Sequence, residues 1–125
     1  MLKHHEDARG TLSYVEFKNL LFQPKRMYFI HGVPAGQIRG GHGHYQDQQY
    51  LFCVRGEIRV NLVSHLGRKE VTLGVGESVF IDKKVWSTQQ YLTGDDIALV
   101  LCSTEYNPED YIDNLEDILA PQVKK

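Results

Sequence analysis

The chain has 125 residues, 42% hydrophobic and 24% charged, with a formal net charge of −2 from 14 basic and 16 acidic residues. That is the size of one domain, here residues 1–125, able to bury about two-thirds of its unfolded surface without disulfide staples. The composition excludes a disordered chain, the charge balance leaves no electrostatic footprint for nucleic acid or anionic lipid, and no apolar run approaches the roughly 18–20 residues of a membrane helix.

Met1-Leu2-Lys3-His4-His5-Glu6 carries no apolar stretch of signal-peptide type, so a cytoplasmic protein is expected. Short segments rich in β-branched and aromatic residues then follow: Leu12–Phe17, Arg26–Ile30, Gln49–Val54, Lys69–Leu73, Ser78–Ile81, Trp86–Tyr91 and Ile97–Cys102. Glu57–Val63 alternates polar and apolar, as a strand with one buried face does. Several segments are apolar on both faces, which suits strands that line a lumen and also meet a second sheet or subunit. Turn signals separate them at Gly10, Gly32–Pro34, Arg55-Gly56, Leu66-Gly67, Gly74–Gly76 and Thr93-Gly94-Asp95-Asp96. Strands this short and this evenly spaced predict an all-β sandwich or barrel.

The C-terminal stretch changes character. Asn107-Pro108-Glu109-Asp110 has the chemistry of a helix start, and Tyr111, Ile112, Leu115, Ile118 and Leu119 recur at helical spacing. The pattern predicts a C-terminal amphipathic helix over about 107–120, with Pro121–Lys125 as a frayed tail. Cys53 and Cys102 both lie in apolar segments and are expected as buried free thiols of a reducing compartment.

Chemistry concentrates in Gly36-Gln37-Ile38-Arg39-Gly40-Gly41-His42-Gly43-His44. Residues two apart on a strand share a face, so His42 and His44 project together. The surrounding glycines leave room for close approach by a ligand. Arg39 would fall on the opposite face of a regular strand, unless a bulge at Gly40-Gly41 re-aims it. Neutral imidazoles titrate near pH 6.5 and serve as proton donors or acceptors at cell pH.

The spacing resembles the two motifs of the cupin superfamily. Gly36 is followed by five residues, His42-Gly43-His44, four residues, Gln49, six residues and Gly56. Gly76 is followed by five residues, Asp82-Lys83-Lys84, two residues and Ser87. Gln49 stands where the motif has Glu, and Ser87 where it has His. Two imidazoles beside an amide and a hydroxyl make a poor divalent-ion site, so no metal and no other cofactor is expected.

A narrower likeness is carried by Asp7-Ala8-Arg9-Gly10-Thr11-Leu12, Arg26-Met27-Tyr28-Phe29-Ile30, Arg39-Gly40-x-His42-x-His44, Gln49-x-Leu51-x-Cys53-Val54-x-Gly56, Val85-Trp86 and Asp110-Tyr111-Ile112. This set is similar to the sugar 3,4-ketoisomerases, small cupins that act on dTDP-4-keto-6-deoxyglucose. It departs from that family at Gly43, Tyr45, Ser87 and Asp113, where Ala, Lys, His and Arg are usual. The resemblance implies a jelly-roll barrel with a C-terminal helix, a homodimer with cross-packed N-terminal strands, and a cofactor-independent isomerase of deoxyamino-sugar biosynthesis for lipopolysaccharide or S-layer glycans. It implies His42 as carbon acid/base and His44 as oxygen shuttle, with the two roles open to exchange. Arg39 would contact sugar or pyrophosphate, Tyr28 would donate to the sugar, Gln49 and Trp86 would face the lumen, and Tyr45 would stack on thymine. A nucleotide-sugar epimerase, a non-catalytic nucleotide-sugar-binding cupin and a metal-dependent oxygenase are the competing expectations.

Overall fold

The computed structural model describes residues 1–120. Two antiparallel sheets carry the architecture. Strands β3 (Arg26–Ile30), β10 (Ile97–Cys102), β5 (Gln49–Arg55) and β8 (Ser78–Ile81) form one sheet in that order. Strands β11 (Tyr111–Ile112), β4 (Ile38–His44), β9 (Trp86–Tyr91), β6 (Ile58–Ser64) and β7 (Gly67–Leu73) form the other. A separate hairpin joins β1 (Lys3–Asp7) to β2 (Gly10–Tyr14). No described helix is long and apolar enough to cross a membrane.

Period-two alternation explains how the sheets close on each other. On β5, Leu51 and Cys53 join Ile58, Val60, Leu73, Ile81, Tyr91, Val100 and Cys102 in the core between the sheets. Tyr50 and Phe52, on the same strand, point the other way and pack with Leu101 against Leu2, Val15, Leu20 and Phe22. The doubly apolar strands therefore face a second layer, and the N-terminal segment supplies part of it. Cys53 and Cys102 are buried and free, and burial pushes both thiols up to about 11.

Two sequence expectations need correction. The early strand over Leu12–Phe17 stops at Tyr14, and Phe17–Asn19 form a single 3-10 turn; the partner strand β1 carried no apolar signal because all its residues are exposed. The continuous helix over 107–120 is three pieces: a 3-10 turn at Pro108–Asp110, β11, and a five-residue helix α1 at Leu115–Leu119. Asn107 does cap its turn, its side chain accepting from the Glu109 amide. The Asp110 carboxylate then accepts from the amides of Gln46 and Asp47. Those bonds pull the chain onto the open edge of β4, where Tyr111 pairs with His44 and Ile112 with Gly43. Covering an exposed strand edge outweighed helical periodicity. The tail expected to fray at 121–125 lies outside the described residues.

Candidate active site

A cavity of about 530 Å³ opens between the sheets, lined by β3, β4, β5, β9 and β11. That size suits a small ligand. Its position follows from the bulge anticipated on β4. Gly40 and Gly41 adopt φ of +89° and +84°, and the pairing of β4 with β9 shifts register between Gly40 and His42. An L-residue rarely tolerates such φ values. The extra residue turns Arg39, Gly40 and His42 toward one cavity, where a regular strand would have parted Arg39 from His42.

His42 and His44 sit edge to face with ring centroids 5.3 Å apart. The Tyr111 ring contacts both, at 4.9 and 4.6 Å. His42 is half-buried on the cavity wall; His44 lies behind it, 7% exposed, and its Nε2 is buried without a partner. Burial lowers the titration of the His42 imidazole from its ordinary value, opposed by the charge of Asp113. Burial lowers His44 as well, opposed chiefly by Asp47. Both rings are therefore held toward the neutral form, which can accept a proton.

The base of the cavity is held by Asp47, 1% exposed. It accepts from Arg26 at 3.1 Å, Gln49 at 3.0 Å, Ser103 at 3.2 Å and the Thr104 amide at 3.0 Å. This fixes Gln49 beside the cavity and sets the Arg26 guanidinium 5.8 Å from the ring centres of both Tyr28 and Tyr106. Burial pushes the Tyr28 phenol upward, so it stays protonated and able to donate. Ser87 accepts from the Gln89 amide group at 3.2 Å, and both line the cavity. Among the described residues, no group of three or more His, Cys, Asp or Glu is placed to hold a metal ion.

Five of the seven site residues predicted from sequence come together here: His42, His44, Arg39, Tyr28 and Gln49. Trp86 and Tyr45 do not. On β9 the buried residues are Ser87, Gln89 and Tyr91, so Ser87 faces the cavity and Trp86 the other side of the sheet, against Gly41. Tyr45 follows β4 and is 47% exposed. Sequence reasoning missed Arg26, Gln89, Tyr106 and Tyr111. Arg26 and Tyr111 lay within quoted motif segments, but Tyr111 read as a helix residue. Gln89 and Tyr106 gave no local signal.

A two-sheet antiparallel jelly roll with one histidine on the inner wall of its cavity and a second packed behind it is a small protein of the cupin type. Residues 1–122 match the family described as FdtA: WxcM-like, C-terminal, and the chain belongs to that family. It is 33% identical over 119 residues to the TDP-4-oxo-6-deoxy-alpha-D-glucose-3,4-oxoisomerase of Aneurinibacillus thermoaerophilus, covering 91% of this chain and 86% of that one. The sugar 3,4-ketoisomerase QdtA of Thermoanaerobacterium thermosaccharolyticum, solved with TDP, superposes with a TM-score of 0.87 at 30% identity, over 94% of this chain and 88% of the other. A histidine-to-asparagine mutant of the same enzyme, solved with TDP-4-keto-6-deoxyglucose, superposes with a TM-score of 0.88 at 29% identity, over 94% and 87%.

Proposed function

We propose that this chain is a sugar 3,4-ketoisomerase: a single catalytic domain that moves the ketone of a TDP-linked 4-keto-6-deoxyhexose from C4 to C3. The observation that carries this reading is the His42–His44 pair, both imidazoles held toward the neutral form, one on the cavity wall and one behind it. The relatives named above support the substrate class.

The reaction is an internal redistribution. A base removes the C3 proton while O4 gains one, giving an enediol. O3 then loses its proton and C4 gains one. Carbon and oxygen protons balance within the sugar, so no external oxidant enters. His42, on the wall, is the carbon acid/base. His44 and its unpaired Nε2 serve the oxygen side. Arg39 and the protonated Tyr28 phenol stabilise the negative charge that builds on oxygen, as positioned donors do for an enolate. The Arg26 guanidinium and the Tyr106 ring line the cavity side by side and suit the nucleotide end of the ligand.

The chain acts as a homodimer in this reading. The hairpin is exposed along both strands, and Leu12, Tyr14, Phe17, Leu21, Met27 and Phe29 present apolar area to solvent. A two-stranded hairpin gains little stability alone, and such a patch suits a second copy. Two buried free thiols accord with the cytoplasm. The test is incubation with TDP-4-keto-6-deoxyglucose in D₂O followed by NMR. Ketone migration with deuterium at C4 is expected. Inversion at C3 or C5 without migration would make the chain an epimerase, and binding of the sugar without exchange would make it a non-catalytic carrier.

A further inference from the structure

We propose that Asp47 is a positioning residue that fixes the hydrogen-bond polarity of the cavity: it holds the amide nitrogen of Gln49, so that Gln49 presents to the sugar only its carbonyl oxygen, as an acceptor for a hydroxyl. This deepens the ketoisomerase reading and rests on it for the identity of the sugar.

A carboxylate accepts hydrogen bonds and does not donate them. Asp47 is 1% exposed, and its two oxygens are loaded evenly. Oδ2 accepts from the Arg26 guanidinium at 3.1 Å and from Gln49 Nε2 at 3.0 Å. Oδ1 accepts from the Ser103 hydroxyl at 3.2 Å and from the Thr104 amide at 3.0 Å. Those four donors fill the capacity of a carboxylate, so Asp47 acts on a ligand only through its partners. The Gln49 atom that meets it has to be the nitrogen, because the amide oxygen would face a second acceptor. Nε2 also donates to Cys102 Sγ, 3.6 Å away on the paired strand β10.

Both N–H groups of the Gln49 amide are therefore spent inside the protein. Oε1 accepts from none of the described residues and is not among the buried unpaired atoms, while Gln49 lines the cavity. The oxygen thus meets the cavity with its lone pairs open. Elsewhere on the cavity wall stand donors, the Arg39 guanidinium and the protonated Tyr28 phenol. A 4-keto sugar carries a carbonyl, which only accepts, beside hydroxyls that donate. Oε1 takes a hydroxyl and refuses the carbonyl, and the ketone is left to the donors. The sugar is oriented by a carboxylate that it never touches. The same pairing accounts for an amide at position 49, where the cupin motif has Glu: a second carboxylate at hydrogen-bond distance from Asp47 would be repelled.

The experiment is calorimetry on the full chain with TDP and with TDP-6-deoxyglucose, which has no ketone and cannot isomerise. The ratio of the two affinities isolates the sugar, so a loss at the nucleotide end through Arg26 cancels. Gln49→Leu lowers that ratio roughly tenfold and leaves TDP affinity unchanged. Asp47→Asn, whose amide can meet Gln49 with either end, lowers it about 3- to 10-fold. The double variant Asp47→Asn/Gln49→Glu rebuilds the pair with the donor on the other side and an acceptor still facing the cavity, and it restores the ratio to within about twofold of wild type. In wild type the Gln49 side-chain amide protons, assigned by NMR from their loss in Gln49→Leu, exchange slowly with water. An unchanged ratio in Gln49→Leu overturns the proposal. Rapid exchange of those protons overturns it as well, as does a double variant no better than Asp47→Asn, which would leave Asp47 a purely structural carboxylate. None of these measurements needs turnover, so absence of ketone migration would sink the ketoisomerase reading and leave the affinities to be judged separately.

Discussion

Two buried polar groups, the Asp96 carboxylate away from the site and the His44 imidazole within it, are treated in opposite ways. Asp96 is 1% exposed and its carboxylate accepts from the Glu57 amide at 2.8 Å, the Thr93 hydroxyl at 2.8 Å, and the Thr93 and Gly94 amides at 3.1 Å. Burial pushes that carboxyl up, but those donors outweigh it and hold it below the usual range. Within the site, His44 buries Nε2 with no partner. Buried polar atoms are nearly always paired. The Asp96 carboxylate ties two turns together; the His44 Nε2 is left free of any protein partner.

The sharpest way to break this contrast is at His42. His42→Asn should lower kcat by about 10²–10⁴, with TDP affinity by calorimetry essentially retained. A variant of near wild-type rate would remove this division of labour. Asp96→Ala should do the converse. Leaving those amides unpaired should cost about 3 kcal/mol in urea unfolding, with kcat/KM of the folded protein unchanged.

Acid should sharpen the contrast. His42 and His44 titrate lower in the fold than in the unfolded chain, so between those values the unfolded state binds more protons. Stability should therefore fall as pH drops from about 6.5 through the folded-state values. Asp96 acts in another window: its contribution is present above about 3.8 and is lost as pH falls through its lowered value. Urea midpoints measured against pH should show both steps, and His44→Asn should reduce only the upper one.

Gly43→Ala probes the support of the site. An added Cβ would meet Ile118 Cδ1 at 2.8 Å and the Val85 carbonyl at 3.0 Å. The methyl terminus of Ile118 can turn aside, while the Val85 backbone yields less. About 1–2 kcal/mol of destabilisation is expected by thermal unfolding, with α1 displaced from β4. The smallest effect belongs to Tyr45→Phe: this exposed ring lies outside the cavity, and KM should stay within about twofold, below the 1.4 kcal/mol that a tenfold change represents.

Patterns confined to neighbouring residues were enough for much of this molecule. Alternation placed β6, richness in β-branched and aromatic residues placed β5, β9 and β10, and His-x-His put two imidazoles on one face because a strand repeats every two residues. The Thr93–Asp96 turn announced itself through side chains that bond their own backbone. What depended on distant partners was hidden. Tyr111 reads as helical until the edge of β4 is seen to need covering. The choice between Ser87 and Trp86 turns on which side of β9 the other sheet packs. Arg39 reaches the cavity only because the Gly40-Gly41 bulge forms against β9. Local chemistry sets a strand's repeat and a turn's shape; which face becomes an inside is decided by the neighbour that removes it from water.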